Sequence, residues 1–309
     1  MDEHTLIQKY FSDVGSAYLA DKGVRISVGD DAAVFSLPAD QESIVSIDTS
    51  LEGIHFLKSM KPEDIAFRSA AIAISDLAAC GATPHWYIVS ITIPSFNENW
   101  IMSFTKGLQD ISDQFKIPLI GGDTTKGPLS ITVQVSGYCN INKSISRSNA
   151  GNGDLIFVTG VIGDASRSLS LLKKNINESK ETVSYLRPSP RISIGQKLLP
   201  LASSAIDVSD GLIQDLSHIC KSSEVGAHIY LESIPTSLNR TLLSSEINLG
   251  DDYELCFTAP EKHTQKINSI AAEEAVLITC IGEVIEGKEV VVLDSSGNEV
   301  EVESGYKHF

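Results

Sequence analysis

The chain has 309 residues, with 24 Lys and Arg against 40 Asp and Glu, which gives a formal net charge of −16. A protein that neutralises nucleic-acid or membrane phosphates with its own cations needs a basic stripe, and this balance leaves none to dominate. Nonspecific nucleic-acid binding and docking to anionic membranes are therefore excluded, and any phosphate chemistry has to work through metal ions.

With 42% hydrophobic and 21% charged residues the composition is that of a folded globular protein, and the length fits about two domains of roughly 150 residues. No apolar run approaches the ~18 residues of a membrane span. The start, Met1-Asp2-Glu3-His4, is acidic rather than basic, so no secretory signal is visible. Cys80, Cys139, Cys220, Cys256 and Cys280 are odd in number and widely spaced among apolar neighbours, as expected of reduced thiols in a cytoplasmic protein. The glycosylation-type triplets at Asn142, Asn177 and Asn239 are then chance matches.

Along the chain, strand-like runs alternate with helix-period segments, which predicts an α/β or α+β fold. An amphipathic stretch follows the N-terminus. Residues 43–47, 86–93 and 129–138 are rich in Ile, Val and Thr with a period near two, so they read as half-buried strands. Pro62, Glu63 and Asp64 open a helix that carries Ile65, Ala70, Ile74 and Leu77 and stops at Gly81, and a second helix covers 98–115 before Pro118. A polar Ser/Asn/Gly-rich stretch at 140–153 marks the domain boundary, with one domain over 1–140 and another over 150–309. The second half begins with a strand at 155–159. Pro188 and Pro190 precede a further helix, and strand-like segments recur at 205–208, 227–231, 254–258, 275–281 and 290–293.

The placement of the acids carries the functional signal. Asp30 and Asp31, Asp48, Asp123, and Asp207 with Asp210 each follow a hydrophobic segment and sit beside Gly, Ser or Thr. Any one of them reads as turn chemistry. Four such sites together point to convergence beyond strand ends, where α/β proteins gather ligands. Asp76 falls in the last turn of the helix ending at Gly81, where an acid costs ~0.3–1 kcal/mol unless a cation offsets it. It is either a tolerated exposed acid or a ligand for a hard metal, and clustered carboxylates suit Mg²⁺. Residues 282–288 match most of a P-loop, but Glu289 replaces the hydroxyl that should bind Mg²⁺, so they read as a hairpin turn. The better phosphate candidate is Gly121-Gly122-Asp123-Thr124-Thr125-Lys126-Gly127, where glycines let backbone amides approach an oxyanion.

Taken in order, these blocks resemble the thiamine-monophosphate kinase family: Gly29-Asp30-Asp31, Asp48-Thr49-Ser50-Leu51-Glu52-Gly53-Ile54-His55-Phe56, Ser75-Asp76-Leu77, residues 121–132, Arg187-Pro188-Ser189-Pro190-Arg191, Asp207-Val208-Ser209-Asp210-Gly211, Asp252-Tyr253-Glu254-Leu255 and Gly305-Tyr306-Lys307-His308-Phe309. The resemblance implies ATP-dependent phosphorylation of thiamine monophosphate to thiamine diphosphate. It also implies the two-domain fold of aminoimidazole ribonucleotide synthetase. There the N-terminal mixed sheet binds ATP and Mg²⁺ and joins its copy across a homodimer, while a C-terminal α/β domain completes the active site. Carried over by motif, Asp31, Ser46, Ile47 through its backbone oxygen, Asp48, Asp76, Asp123, Asp207 and Asp210 hold Mg²⁺. Gly122, Asp123, Arg147 and Ser209 contact ATP; His55, Asp251 and Tyr306 contact the thiamine phosphate; and Asp48, Asp76, Asp123 and Asp210 are the catalytic acids. The family's Gly-Gly-Glu-Asp run is here Leu249-Gly250-Asp251-Asp252, so its substrate-contacting glutamate maps to the shorter Asp251.

Plainer readings stand beside these. His55 between Ile54 and Phe56 also suits a core histidine, Arg147 a solvated charge, and Tyr306 a residue that pins the tail. The chemistry itself asks for no strong base, because the second pKa of a phosphate monoester is near ~6 and the nucleophile is already ionised. The expected route is direct γ-phosphoryl transfer to that oxygen without a phosphoenzyme. A selenophosphate synthetase would need a reactive N-terminal cysteine, and the first here is Cys80. A related synthetase and a non-catalytic nucleotide or metal sensor on the same scaffold remain the alternatives.

Overall fold

A computed structural model of the protein describes residues 3–176, 180–238 and 240–306. Asn177 and Asn239 of two glycosylation-type triplets, and the terminal Lys307-His308-Phe309, lie outside the described residues. The chain forms two compact units, one of residues 1–77 and 82–142 and the other of 78–81 and 143–309.

The first unit runs α1 (Glu3–Tyr10), β1 (Val24–Ile26), β2 (Val34–Phe35), β3 (Gln41–Leu51), α2 (Pro62–Ala79), β4 (Thr83–Ile93), α3 (Glu98–Phe115), β5 (Leu119–Lys126) and β6 (Ser130–Asn140). Strands β1 and β2 pair with each other, and the remaining four make a mixed sheet in the order β3-β6-β4-β5, parallel only between β4 and β5. One sheet face is buried through Val133, Val135, Ile131, Val89 and Ile91. On β3 alternation puts Val45 and Ile47 on the opposite face, where they are 54% and 61% exposed.

Helix α3 shows how the sequence enforces this layer. The Asn97 side chain accepts the Trp100 amide at 3.1 Å as an N-cap, and Lys116 closes the helix in a left-handed conformation, φ 55°. Ile101, Phe104, Leu108 and Ile111 follow the helical period and are fully buried. Truncating any of them to Ala costs about 2–5 kcal/mol. Gly107 is required by close packing, because an added Cβ would lie 2.1 Å from the Glu63 carbonyl oxygen on α2.

The second unit continues with β7 (Leu155–Thr159), α4 (Asp164–Lys173), α5 (Val183–Leu186), α6 (Ile192–Leu198), β8 (Ser204–Asp207), α7 (Leu212–Ser223), β9 (Gly226–Tyr230), β10 (Leu255–Ala259), α8 (Thr264–Glu274), β11 (Ile278–Ile285) and β12 (Val290–Leu293). Its six-stranded sheet, β12-β9-β11-β7-β10-β8, is antiparallel except between β12 and β9. Alternate side chains feed two cores. Ile156, Val158, Ile206 and Cys256 pack with Leu212, Leu216 and Ile219 of α7, whereas Phe157, Leu255 and Phe257 pack with Ile194 and Leu198 of α6 and Ile267 of α8. The Phe157 and Phe257 rings stack at 5.3 Å.

Two expectations are corrected. Residues 282–288 are not a hairpin turn: β9 lies between β11 and β12, and Gly282 to Ile285 complete β11. Asp48 and Asp123 do not follow strands but sit inside them, since β3 runs on to Leu51 and β5 to Lys126. The apolar run stops at these acids while backbone pairing continues: Asp48 takes a position in the inward row with Val133 and Val89, and Asp123 one in the adjacent row, which faces the other side.

Candidate functional site

In the first unit, Ser46 and Asp48 are alternate residues of β3 and project to the same side as the buried row of β6, opposite Val135 and Val133. Asp76 reaches this face from the last turn of α2. The Ser46 hydroxyl donates to Oδ2 of Asp76. Burial, and then the neighbouring charge of Asp76, push the Asp48 carboxyl up to about 6. Two carboxylates and a hydroxyl on one face, with the acids raising each other's cost, form an all-oxygen donor set suited to a hard cation. Among the described residues no group of three His, Cys, Asp or Glu side chains is placed to hold a metal ion, so the expected ligands stand as this pair and as separate acids. Ile47 faces the other way, toward the exposed side.

The row through Asp48 continues across Val133 and Val89 to Gly122, and the next row runs Thr49, Thr132, Ser90, Asp123. Gly122 has no room for a side chain, since an added Cβ would lie 2.0 Å from the Val89 carbonyl oxygen. Gly121 has open space beside it, so the two glycines do different jobs. Asp123 is exposed, as is Asp31, whose amide donates to Oδ1 of Asp30 at 2.8 Å in the turn after β1. His55 is half-buried rather than a core residue, and its Nδ1 accepts the Leu51 amide at 3.0 Å. In its neutral form it therefore carries its proton on Nε2.

The second unit gathers another set around the end of β8. Asp207 is the buried last residue of that strand, and Ser209, Asp210 and Gly211 form the loop into α7. Oδ2 of Asp215 accepts the amides of Ser209, Asp210 and Gly211 at 2.9, 3.0 and 3.1 Å, and burial pushes its carboxyl up to about 6 despite those bonds. The Asp251 amide, at φ 67°, donates to the Ser209 carbonyl at 2.8 Å, and the Tyr306 amide donates to the Asp210 carbonyl at 3.0 Å. Ser209, Asp210, Asp251 and Tyr306 are thus neighbours. The Tyr306 side chain is 43% exposed. Arg147 is exposed, and its carbonyl accepts the Ser223 hydroxyl at 3.3 Å.

The AIR synthase related protein family matches in both of its parts, the N-terminal domain over residues 29–139 and the C-terminal domain over 151–295. The thiamine-monophosphate kinase of Buchnera aphidicola subsp. Schizaphis graminum is 40% identical over 322 residues, spanning 100% of this chain and 99% of that protein. The chain belongs to the thiamine-monophosphate kinase family. The crystal structure of a thiamine-monophosphate kinase from Stenotrophomonas maltophilia superposes with a TM-score of 0.85 at 34% identity, covering 94% of this chain and 98% of that one. The structure of AaThiL complexed with AMPPCP and TMP gives 0.78 at 28% identity, with 92% of each chain covered.

Several residues that shape this kinase-family site escape sequence reasoning. Asp215 lies four residues beyond Gly211, in the first turn of α7, where an acid suggests only a favourable dipole. Asn248 caps the same helix from a distant loop, accepting the Ile213 and Gln214 amides at 3.0 and 3.1 Å. Asp252, marked in the sequence only as part of a motif block, accepts the Gly163 amide at 3.0 Å and the Ala165 amide at 3.3 Å, and burial raises its carboxyl to about 7. Two motif blocks prove to be one structural pair: Arg191 donates through Nε and Nη2 to buried Glu254, which also accepts the Thr159 hydroxyl at 2.6 Å.

Proposed function

We propose that this chain transfers the γ-phosphoryl group of ATP to thiamine monophosphate, giving thiamine diphosphate, by direct in-line displacement. The observation that carries this reading is the end-to-end match to thiamine-monophosphate kinases. The geometry supports it with paired carboxylates on one sheet face, where a charge-neutralising cation fits. Mg²⁺ bound there would neutralise and orient the triphosphate. Over several ions, the first unit would supply Asp31, Ser46, the Ile47 carbonyl, Asp48, Asp76 and Asp123 as ligands, and the second unit Asp207 and Asp210.

The chain's own residues then have separate duties. Gly122 brings the β5 backbone close to β4, leaving amides and the Asp123 carboxylate on an uncluttered strand for ATP. Ser209 lies in the amide-rich loop held by Asp215, and Arg147 is an exposed guanidinium suited to a phosphate. His55, whose Nδ1 accepts the Leu51 amide, would meet the acceptor phosphate through its ring. Tyr306 offers an exposed ring for the cationic heteroaromatic group of thiamine. No residue has to abstract a proton, because the attacking phosphate oxygen is ionised near neutrality.

The uncovered sheet face with Val45 and Ile47 supports a homodimer formed by the first unit, and the five free cysteines suit a reducing, cytoplasmic setting. Among the described residues no helix is long and apolar enough to cross a membrane. The test is product detection. Purified protein with thiamine monophosphate, ATP and MgCl₂ should form thiamine diphosphate, and EDTA should abolish both turnover and ATP binding. Nucleotide binding without thiamine diphosphate would overturn the kinase reading in favour of a sensor.

A further inference from the structure

The C-terminal segment is fastened to the loop after β8 and to the start of α7, and one side chain touches both the segment and the loop. Gln214, in the first turn of α7, donates from Nε2 to Oδ2 of Asp210 at 3.3 Å and to the Tyr306 carbonyl at 2.8 Å. The Tyr306 amide returns to the Asp210 carbonyl at 3.0 Å. Asn248 adds a second tie, its Nδ2 donating to the Glu303 carbonyl at 3.0 Å. Between these ties the backbone lies directly against the loop: a Cβ at Gly305 would meet the Asp210 carbonyl oxygen at 2.6 Å and Oε1 of Gln214 at 2.7 Å.

A primary amide has two N–H donors, and those of Gln214 serve two groups with different jobs. On the proposed kinase reading Asp210 is an acid assigned to Mg²⁺, and Tyr306 is a residue assigned to the phosphoryl acceptor. Residues 301–306 belong to no helix or strand, so these bonds help to set the place of the Tyr306 segment. An acid that is fixed by metal holds its amide partner still, and that amide holds the tail.

We propose that Gln214 is a positioning residue that couples the two substrates: binding of Mg²⁺–nucleotide at the Asp210 loop steadies the Tyr306 segment and tightens the binding of thiamine monophosphate. The inference rests on the proposed kinase reading for the identity of the acceptor. By linkage the effect is reciprocal, so thiamine monophosphate tightens Mg²⁺–nucleotide by the same factor.

One hydrogen bond of ordinary strength corresponds to about fivefold in an equilibrium. In wild-type protein a Mg²⁺-loaded, non-hydrolysable ATP analogue should therefore lower the Kd for thiamine monophosphate about fivefold. Gln214→Leu, which keeps the bulk and loses both donors, should reduce that ratio below twofold. Hydrogen exchange read over residues 299–306 should slow on adding the Mg²⁺-loaded analogue to the wild type, and should not respond in the variant. A variant that keeps the fivefold ratio, or wild-type exchange that ignores the analogue, overturns the coupling. A wild type that forms no thiamine diphosphate sinks the kinase reading separately, and the exchange comparison still decides whether nucleotide and tail communicate.

Discussion

Replacing Asp48 by Asn should make the metal-free protein more stable and the enzyme inactive. The carboxyl stands on the inward face of β3 and is raised from the ordinary 3.8 to about 6, first by burial and second by Asp76. Moving a pKa by one pH unit corresponds to about 1.4 kcal/mol, so holding this carboxyl ionised at pH 7.5 costs the fold about 3 kcal/mol. Between pH 4 and 6 the folded protein keeps a proton here that the unfolded chain has released, so this contribution favours folding at low pH and is lost as pH rises through about 6. An Asn amide carries no charge at any pH and can donate to Asp76. In EDTA at pH 7.5 the variant should unfold higher by about 6–12 °C, taking about 2–4 °C per kcal/mol for a domain of this size. The gap should close toward pH 4. Differential scanning calorimetry across pH 4–8 reads this directly, and a thiamine diphosphate assay should show turnover down by at least about 100-fold. A variant that is less stable than wild type in EDTA at pH 7.5 would refute the claim that Asp48 is a strained carboxylate.

Asp215→Ala strips three backbone amides of their acceptor and should lower stability by about 2–3 kcal/mol, whereas Asp215→Asn should lose under about 1 kcal/mol, both read by urea unfolding. The raised Asp215 carboxyl is the reason for the difference, since the bonds do not fully offset its burial. Arg191→Met leaves the Glu254 carboxylate, whose side chain is 9% exposed, without its cation and should cost about 3–5 kcal/mol. Adding Glu254→Leu should recover part of that loss, and a double-mutant cycle in urea measures the coupling. Millimolar Mg²⁺ should flatten the pH 4–6 slope of wild-type stability contributed by Asp48 while leaving the Asp215 and Asp252 contributions in place, and calorimetry with and without EDTA separates them.

How much of the molecule is legible in its sequence depends on how local the cause is. Helix α3 can be placed at Glu98–Phe115 because its period, its acidic first turn and the following Pro118 all lie within or beside the segment. Strands β7 and β12 declare themselves by short apolar runs between polar stretches. The long strands β3 and β5 outrun their apolar stretches, because such a stretch marks where the core ends while hydrogen-bond pairing with β6 and β4 carries the backbone further. The acids themselves are visible in the sequence, but Asp48 and Asp123 lie within strands rather than beyond strand ends. The cap of α7 and the buried ion pair are invisible for another reason. Asn248 lies 34 positions from Gln214, and Glu254 lies 63 from Arg191, so nothing nearby in sequence marks them as partners.

The net charge of −16 conceals buried and half-buried carboxylates of different kinds, and what faces each one separates them. Asp215 and Asp252 face backbone amides, so the fold supplies the positive ends of their hydrogen bonds and each acid shapes a loop. Asp48 faces Asp76, and Asp76 receives a hydroxyl proton from Ser46. A neutral hydroxyl does not offset the repulsion between two carboxylates, so a hard cation brought to this face would lower the cost of keeping Asp48 ionised. A protein stable for its own sake would replace one of those acids, since the folded chain gains nothing from the repulsion. On the proposed kinase reading the balancing charge arrives as Mg²⁺ with the nucleotide, which would let a strongly acidic chain hold a polyanion.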